Sequence, residues 1–264
     1  MLPFEDSQVR AIWPDVRDEA QHADRLLDLV VSLFFDPGAR GMKFRCVNEL
    51  VLVTVMALLA KGCRTHRAVA HAAVNGLGED AMTLARSLYE TNMIALFILQ
   101  KPRLQKQRAA MFHLWAAHQQ LRMLRSWKVT PGLRRQAKKR DLAHAQAIVD
   151  TWQPRTNGID VSKHWSGKGS LANAAQLLRE DRSYQTIYRF LSAYGHGSDV
   201  AGAIEVDDNG KYVIDLAPNA KHTSEALQLS RMLLWVFAAR MDKQWGFGFA
   251  DRLKALKPPF VGRV

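Results

Sequence analysis

In the stretch YRFLSAYGHGSD, from Tyr188 to Asp199, an arginine and a histidine are spaced so that they could act together. Arg189 and His196 are seven positions apart, two turns of a helix at nearly one azimuth, which puts their Cα atoms roughly 10 Å apart along the axis. Ser192 lies between them on that face and Tyr188 precedes it. Gly195 is placed to end the helix, leaving His196 in an exposed position just beyond it. A guanidinium that stabilises a phosphorane and an imidazole that shuttles a proton are the smallest set able to cleave RNA through its 2′-hydroxyl without a metal. The plainer alternative has Arg189 salt-bridged at the surface and His196 capping helix carbonyls. Both readings stand.

A second candidate lies in EDAMTLARSLYETNMIALFILQ, residues 79–100. Arg86 and Glu90 are one turn apart on the face that carries Met82, Tyr89, Met93 and Phe97. Charges on an apolar face are costly unless paired. They form an ion pair, or they line a pocket in which Glu90 orients a base. In KHWSGKGSL, His164 and Trp165 form either a pocket wall or a structural tuck. The segment is no phosphate loop of the Walker kind, because Ser162 stands where the first glycine belongs and Lys168 is followed by Gly. Ser170 reads as an N-cap. His118 falls in the apolar stripe of Met111, Leu114, Leu121 and Leu124 and reads as a core residue. His66 and His71, five apart, diverge on a helix and do not chelate together. No H-E-x-x-H, C-x-x-C, G-x-G-x-x-G or G-x-S-x-G occurs, so no metal and no cofactor are expected.

The charge is concentrated. Of 37 basic side chains, twelve lie between residues 101 and 140, where no carboxylate occurs; the other 25 balance the chain's 25 acids. They are Lys101, Arg103, Lys106, Arg108, Arg122, Arg125, Lys128, Arg134, Arg135, Lys138, Lys139 and Arg140. Such a stripe fits RNA or another polyanion, and it also fits a solvated helix face that keeps the protein soluble.

These residues must be held by helices. Period-3.6 patterning predicts them at about 14–35, 42–60, 64–76, 79–100, 103–128, 131–152, 170–180, 183–195 and 220–245. Asn209-Gly210 between short alternating runs predicts a β-hairpin inserted over about 203–216. The expectation is an all-α fold: one domain of about nine helices over 1–250, then an extended tail over 251–264. The longest apolar run, Leu50 to Ala60, is too short to cross a bilayer, and the start of the chain lacks a signal-peptide pattern. Cys46 and Cys63 make no disulfide framework and read as small core residues. A cytoplasmic protein with no membrane association is expected.

Three stretches, ARSLYETNMIALFILQ, HWSGKGSL and YQTIYRFLSAYGHGS, together resemble a family of bacterial helical proteins of unknown function over about residues 45–240. That resemblance implies a shared Arg and Glu on a buried helix, a His-Trp pair and a Tyr…Ser…His ending. The Arg189 and His196 spacing also resembles the HEPN superfamily, whose ribonucleases carry an Arg, four to six residues, and a His on a helix. That likeness implies a homodimer with a composite RNA-cleaving site, of the toxin or antiphage-defence type. Phe190 departs from its pattern, which has a polar residue after the Arg. Two functions follow as expectations. One is a metal-independent ribonuclease, with Arg189 and His196 acting and Arg86 and Glu90 positioning them. The other is a non-catalytic helical module that binds nucleic acid or protein, with Arg, Glu and His in a buried polar network.

Overall fold

Apolar side chains recur every three to four positions along most of this chain, and helices form where they do. The computed structural model describes residues 6–35, 48–126, 133–195, 204–206, 211–214 and 220–259. Its helices are α1 (Asp6–Phe35), α2 (Glu49–Val74), α3 (Gly78–Leu99), α4 (Gln105–Ser126), α5 (Leu133–Trp152), α6 (Leu171–Leu178), α7 (Asp181–Ser183), α8 (Arg189–Gly195), α9 (Ala220–Trp245) and α10 (Ala250–Ala255). A 3₁₀ turn, Pro102–Leu104, leads into α4, and another, Gln153–Thr156, follows α5. A π-helical turn, Tyr184–Tyr188, joins α7 to α8.

The all-helical class holds, with four local differences from the periodicity. The helices expected at 42–60 and 64–76 are one helix, α2, across its described length. Gly62 does not break it: a Cβ there would meet Leu88 at 3.4 Å and Phe237 at 3.7 Å, so close neighbours brace the helix at its weakest residue. The helix expected at 183–195 is divided by the π turn. The tail expected to run extended from 251 instead folds into α10, where Leu253 is buried and its carbonyl accepts Trp235 Nε1–H at 2.7 Å. The expected hairpin is not seen as a complete unit. Ile204–Val206 and Tyr212–Ile214 pair antiparallel, Ile204 opposite Ile214, but Asn209-Gly210 lies outside the described residues.

The described residues pack as two compact units. The first comprises those of Met1–Val47, Met56–Asn92 and Arg182–Val264. Within it α1 lies on α9, and Leu26 and Leu33 of α1 and Leu227 and Leu234 of α9 are buried. Arg231 is buried there and ion-pairs with Glu19 at 2.8 Å, the partnership a buried guanidinium requires. His66, with no exposed surface, bonds through Nε2 to the Ala23 carbonyl at 3.1 Å, and burial holds its pKa below the ordinary imidazole value. Burial likewise pushes the Cys63 thiol up to about 11, which makes it an inert core residue.

The second unit comprises Asn48–Val55 and the described residues of Met93–Asp181. Here α4 packs against α5 and the turn at 153–156. Thr54 Oγ1 donates to the Leu50 carbonyl at 2.6 Å, so its 2.9 Å bond with His113 is donated by Nε2. After α5 the chain returns over α4 through an irregular stretch whose turns need left-handed backbone at Gly158, Gly167 and Gly169. Gly167 has no spare room: a Cβ would stand 2.5 Å from Ile159 Cγ2 and 3.4 Å from Met111 Cε.

Substituting Gly167 by alanine therefore adds a steric clash to a strained φ of +68°, whereas Gly158, at φ +76°, has nothing within 4 Å of that position. Urea unfolding should show Gly167→Ala destabilised by about 2–4 kcal/mol and Gly158→Ala by about 1 kcal/mol.

Candidate functional site

In the first unit, Arg86, Tyr89 and Glu90 of α3 meet the π turn and the start of α8. The Tyr188 hydroxyl accepts from Arg86 Nη2 at 2.9 Å and donates to Glu90 Oε1 at 3.2 Å. Arg86 Nε is 3.4 Å from the same Glu90 oxygen, which closes a triangle of three side chains. The Arg86 guanidinium also lies over the Tyr188 ring, 5.1 Å from its centre. Tyr89 bonds Ser183 at 3.1 Å, and its ring sits 5.5 Å from that of Tyr188. Ser192 Oγ is buried within reach of the Tyr188 hydroxyl without a well-formed hydrogen bond.

The π turn is what aims Tyr188. One extra residue in the turn rotates the chain, and Tyr184 stacks on Tyr188 at 5.1 Å across it. Burial, then the Glu90 charge, raises the Tyr188 pKa above its ordinary 10.0, so the phenol stays a proton donor to the carboxylate. The Glu90 side chain keeps 44% of its surface exposed, and an i,i+4 pair this open contributes only a few tenths of a kcal/mol. The tyrosine, not the ion pair, ties the elements together.

Of the sequence-predicted residues, the structure brings together Arg86, Tyr89, Glu90, Tyr188 and Ser192. Arg189 does not join them: its side chain is exposed, and among the described residues its hydrogen bond is to Gln185 Oε1 at 3.1 Å on its own helix face. His196 lies outside the described residues.

His164 and Trp165 belong to the second unit. Trp165 is a structural tuck, 4% exposed and edge-on to Phe97 at 5.2 Å. His164 stacks beside it at 4.6 Å, half-buried, and its Nδ1 accepts from Ser166 Oγ at 2.8 Å. Burial lowers its pKa below the ordinary value, which favours the neutral ring. Ser170 caps α6, accepting from Asn173 N.

The basic segment divides by environment. Lys101, Arg103, Lys106, Arg122, Arg125, Lys139 and Arg140 are exposed, and Lys138 is half-buried. Lys128 lies outside the described residues; Arg134 and Arg135 are on α5, their surroundings not described. Arg108 corrects the sequence expectation. It is 4% exposed, bonds the Phe97 carbonyl and Gln100, and stacks on the Phe97 ring at 4.3 Å, so it is a core cation unavailable to a ligand. Arg140 has Asp141 within 3.6 Å.

A cavity of about 250 Å³ opens beside α4, lined by His118, Leu121, Arg122, Arg125 and Ser162. Arg122 Nη2 donates to the Ser162 carbonyl at 2.7 Å, and Gln119 reaches the same oxygen at 3.5 Å. Asp160 Oδ1 accepts the Ser162 N–H at 2.8 Å, and this bond, more than any charge, holds its pKa below the carboxylate range. His118 is thus no sealed core residue, as its apolar stripe implied, but a half-buried cavity wall. The overlooked signal was in the sequence: 118, 122 and 125 follow the i, i+4, i+7 spacing of one helix face. Ser162 left no such trace, because only the fold returns its loop to α4.

Among the described residues no group of His, Cys, Asp or Glu is assembled to hold a metal, and no helix is long and apolar enough to cross a membrane.

A raised phenol pKa stabilises the fold fully below pH 10, and that contribution is lost as pH rises through the folded-state value. Tyr188→Phe should cost about 1–2 kcal/mol at neutral pH and show a smaller loss of stability than the wild type above pH 10, read by chemical unfolding at several pH values.

The model of a family described as being of unknown function (DUF5677) matches residues 52–212. No curated protein and no solved structure matches the chain.

Proposed function

The chain belongs to that family, and we propose that it is a polyanion-binding helical protein whose ligand is RNA, held by the cationic face of α4. The observation that carries this reading is the state of the charges. Arg122 and Arg125 are exposed and frame a cavity, and among the described residues neither is paired with a carboxylate. The bond Arg122 makes is to a neutral carbonyl, which orients the guanidinium and leaves its charge in place. Lys101, Arg103 and Lys106 are exposed around the start of the helix, on another side of it from Arg122. Fixed cations with no anion of their own are what a phosphate backbone requires.

The test is binding of a labelled single-stranded RNA by fluorescence anisotropy. Arg122→Glu with Arg125→Glu should weaken binding at least about tenfold at constant melting temperature. Arg108→Met should chiefly cost stability, by about 2–4 kcal/mol. Unchanged affinity in the double variant would contradict the proposal.

One observation favours a second reading, RNA cleavage. Arg189 presents an exposed guanidinium at the start of the helix that precedes His196, oriented by Gln185 Oε1 at 3.1 Å. In that reading His196 takes the 2′-hydroxyl proton and the 2′-oxygen attacks phosphorus. Arg189 stabilises the phosphorane, the P–O5′ bond breaks, and a protonated group returns a proton to O5′. A 2′,3′-cyclic phosphate and a 5′-hydroxyl result. Incubated RNA should be cut by wild type and left intact by Arg189→Ala and His196→Ala; equal cutting by all three removes this reading.

A further inference from the structure

The geometry points to a more specific ligand for the cavity: a phosphate monoester, the terminal phosphate of a nucleic-acid strand. The inference rests on the polyanion-binding reading and deepens it. The walls supply Arg122 and Arg125 as cations and His118 as a ring donor or acceptor, over a Leu121 floor. Lys163 adds an exposed positive charge on the same loop. The nearby carboxylate, Asp160, faces His118 and Lys163 but is engaged by the Ser162 N–H. Asp160 keeps its charge, so Arg122, Arg125 and Lys163 against this one carboxylate leave a net charge of +2. A monoester, at about −1.5 to −2 near neutral pH, meets that surplus more fully than the single charge of an internal phosphodiester.

Shape argues the same way. About 250 Å³ lies below the size of common ligand pockets and suits a phosphate with little more than its attached sugar. One wall is the loop carrying Ser162, held to α4 by Arg122 at 2.7 Å and Gln119 at 3.5 Å. A strand end can be seated against such a wall, whereas a continuous backbone must both enter and leave. Arg122 is held by one amino group, which leaves the rest of its planar fork to meet an anion.

The experiment compares one RNA sequence bearing a 5′-phosphate, a 3′-phosphate or only hydroxyl ends, together with adenosine monophosphate and inorganic phosphate. Wild-type protein and Arg122→Ala/Arg125→Ala are titrated with each by anisotropy or calorimetry. A phosphorylated end should bind about tenfold or more tightly than the hydroxyl-ended strand, and the variant should abolish that preference. Equal affinity for all three strands overturns the terminal-phosphate site while leaving polyanion binding intact. If no strand binds but adenosine monophosphate binds wild type and not the variant, the cavity stands as a monoester site and the RNA reading falls. If no phosphate-bearing ligand binds at all, both fall.

Discussion

Uncompensated like charge is the constraint around which the second unit is organised. Twelve cations occur in forty residues with no acid among them, and the fold treats them individually. Arg108 is withdrawn into the core, where a carbonyl and the face of Phe97 replace water. Arg140 finds the next residue, Asp141. Arg122 is positioned on a neutral carbonyl, so its location is fixed while its charge remains. That bond also pins the loop of Ser162 against α4 and so builds the cavity. Orientation is thus supplied without neutralisation, the feature on which the proposed anion site rests.

The polar cluster of the first unit has the opposite character. Arg86 and Glu90 neutralise each other, and Tyr188 satisfies both in one hydroxyl that accepts from the cation and donates to the anion. Its cost falls on the backbone, where a π turn replaces regular helix to bring the phenol round. Such turns are concentrated at functional positions. Here the turn places Arg189, one residue on, facing solvent and outside the network.

Helices and their faces were legible because hydrophobic spacing is a local signal: α9 begins and ends where its periodicity does, at Ala220 and Trp245. The continuity of α2 was not, because the neighbours that brace Gly62 between the two expected helices, Leu88 and Phe237, are distant in sequence. The π turn left no trace, since one inserted residue changes the direction of side chains without changing their composition. In the site, the pairing of Arg86 with Glu90 could be read from their one-turn spacing. The inward turn of Arg108 could not, for nothing local distinguishes it from Lys106 until Phe97 and Gln100 close over it. His118 was misread for a related reason: one position satisfied both an apolar stripe and a basic one, and only the loop at Ser162 shows which it serves.

The salt dependence of binding tests the central claim most directly, because it counts released counterions. With single-stranded RNA, the logarithm of the binding constant should fall linearly with the logarithm of salt concentration, with a slope of about −0.7 for each phosphate neutralised. The account predicts a slope corresponding to several phosphates, drawn from the exposed cations of α4 and its approach. A binding constant indifferent to salt, or no binding at low salt, would show that this charge only keeps the protein in solution.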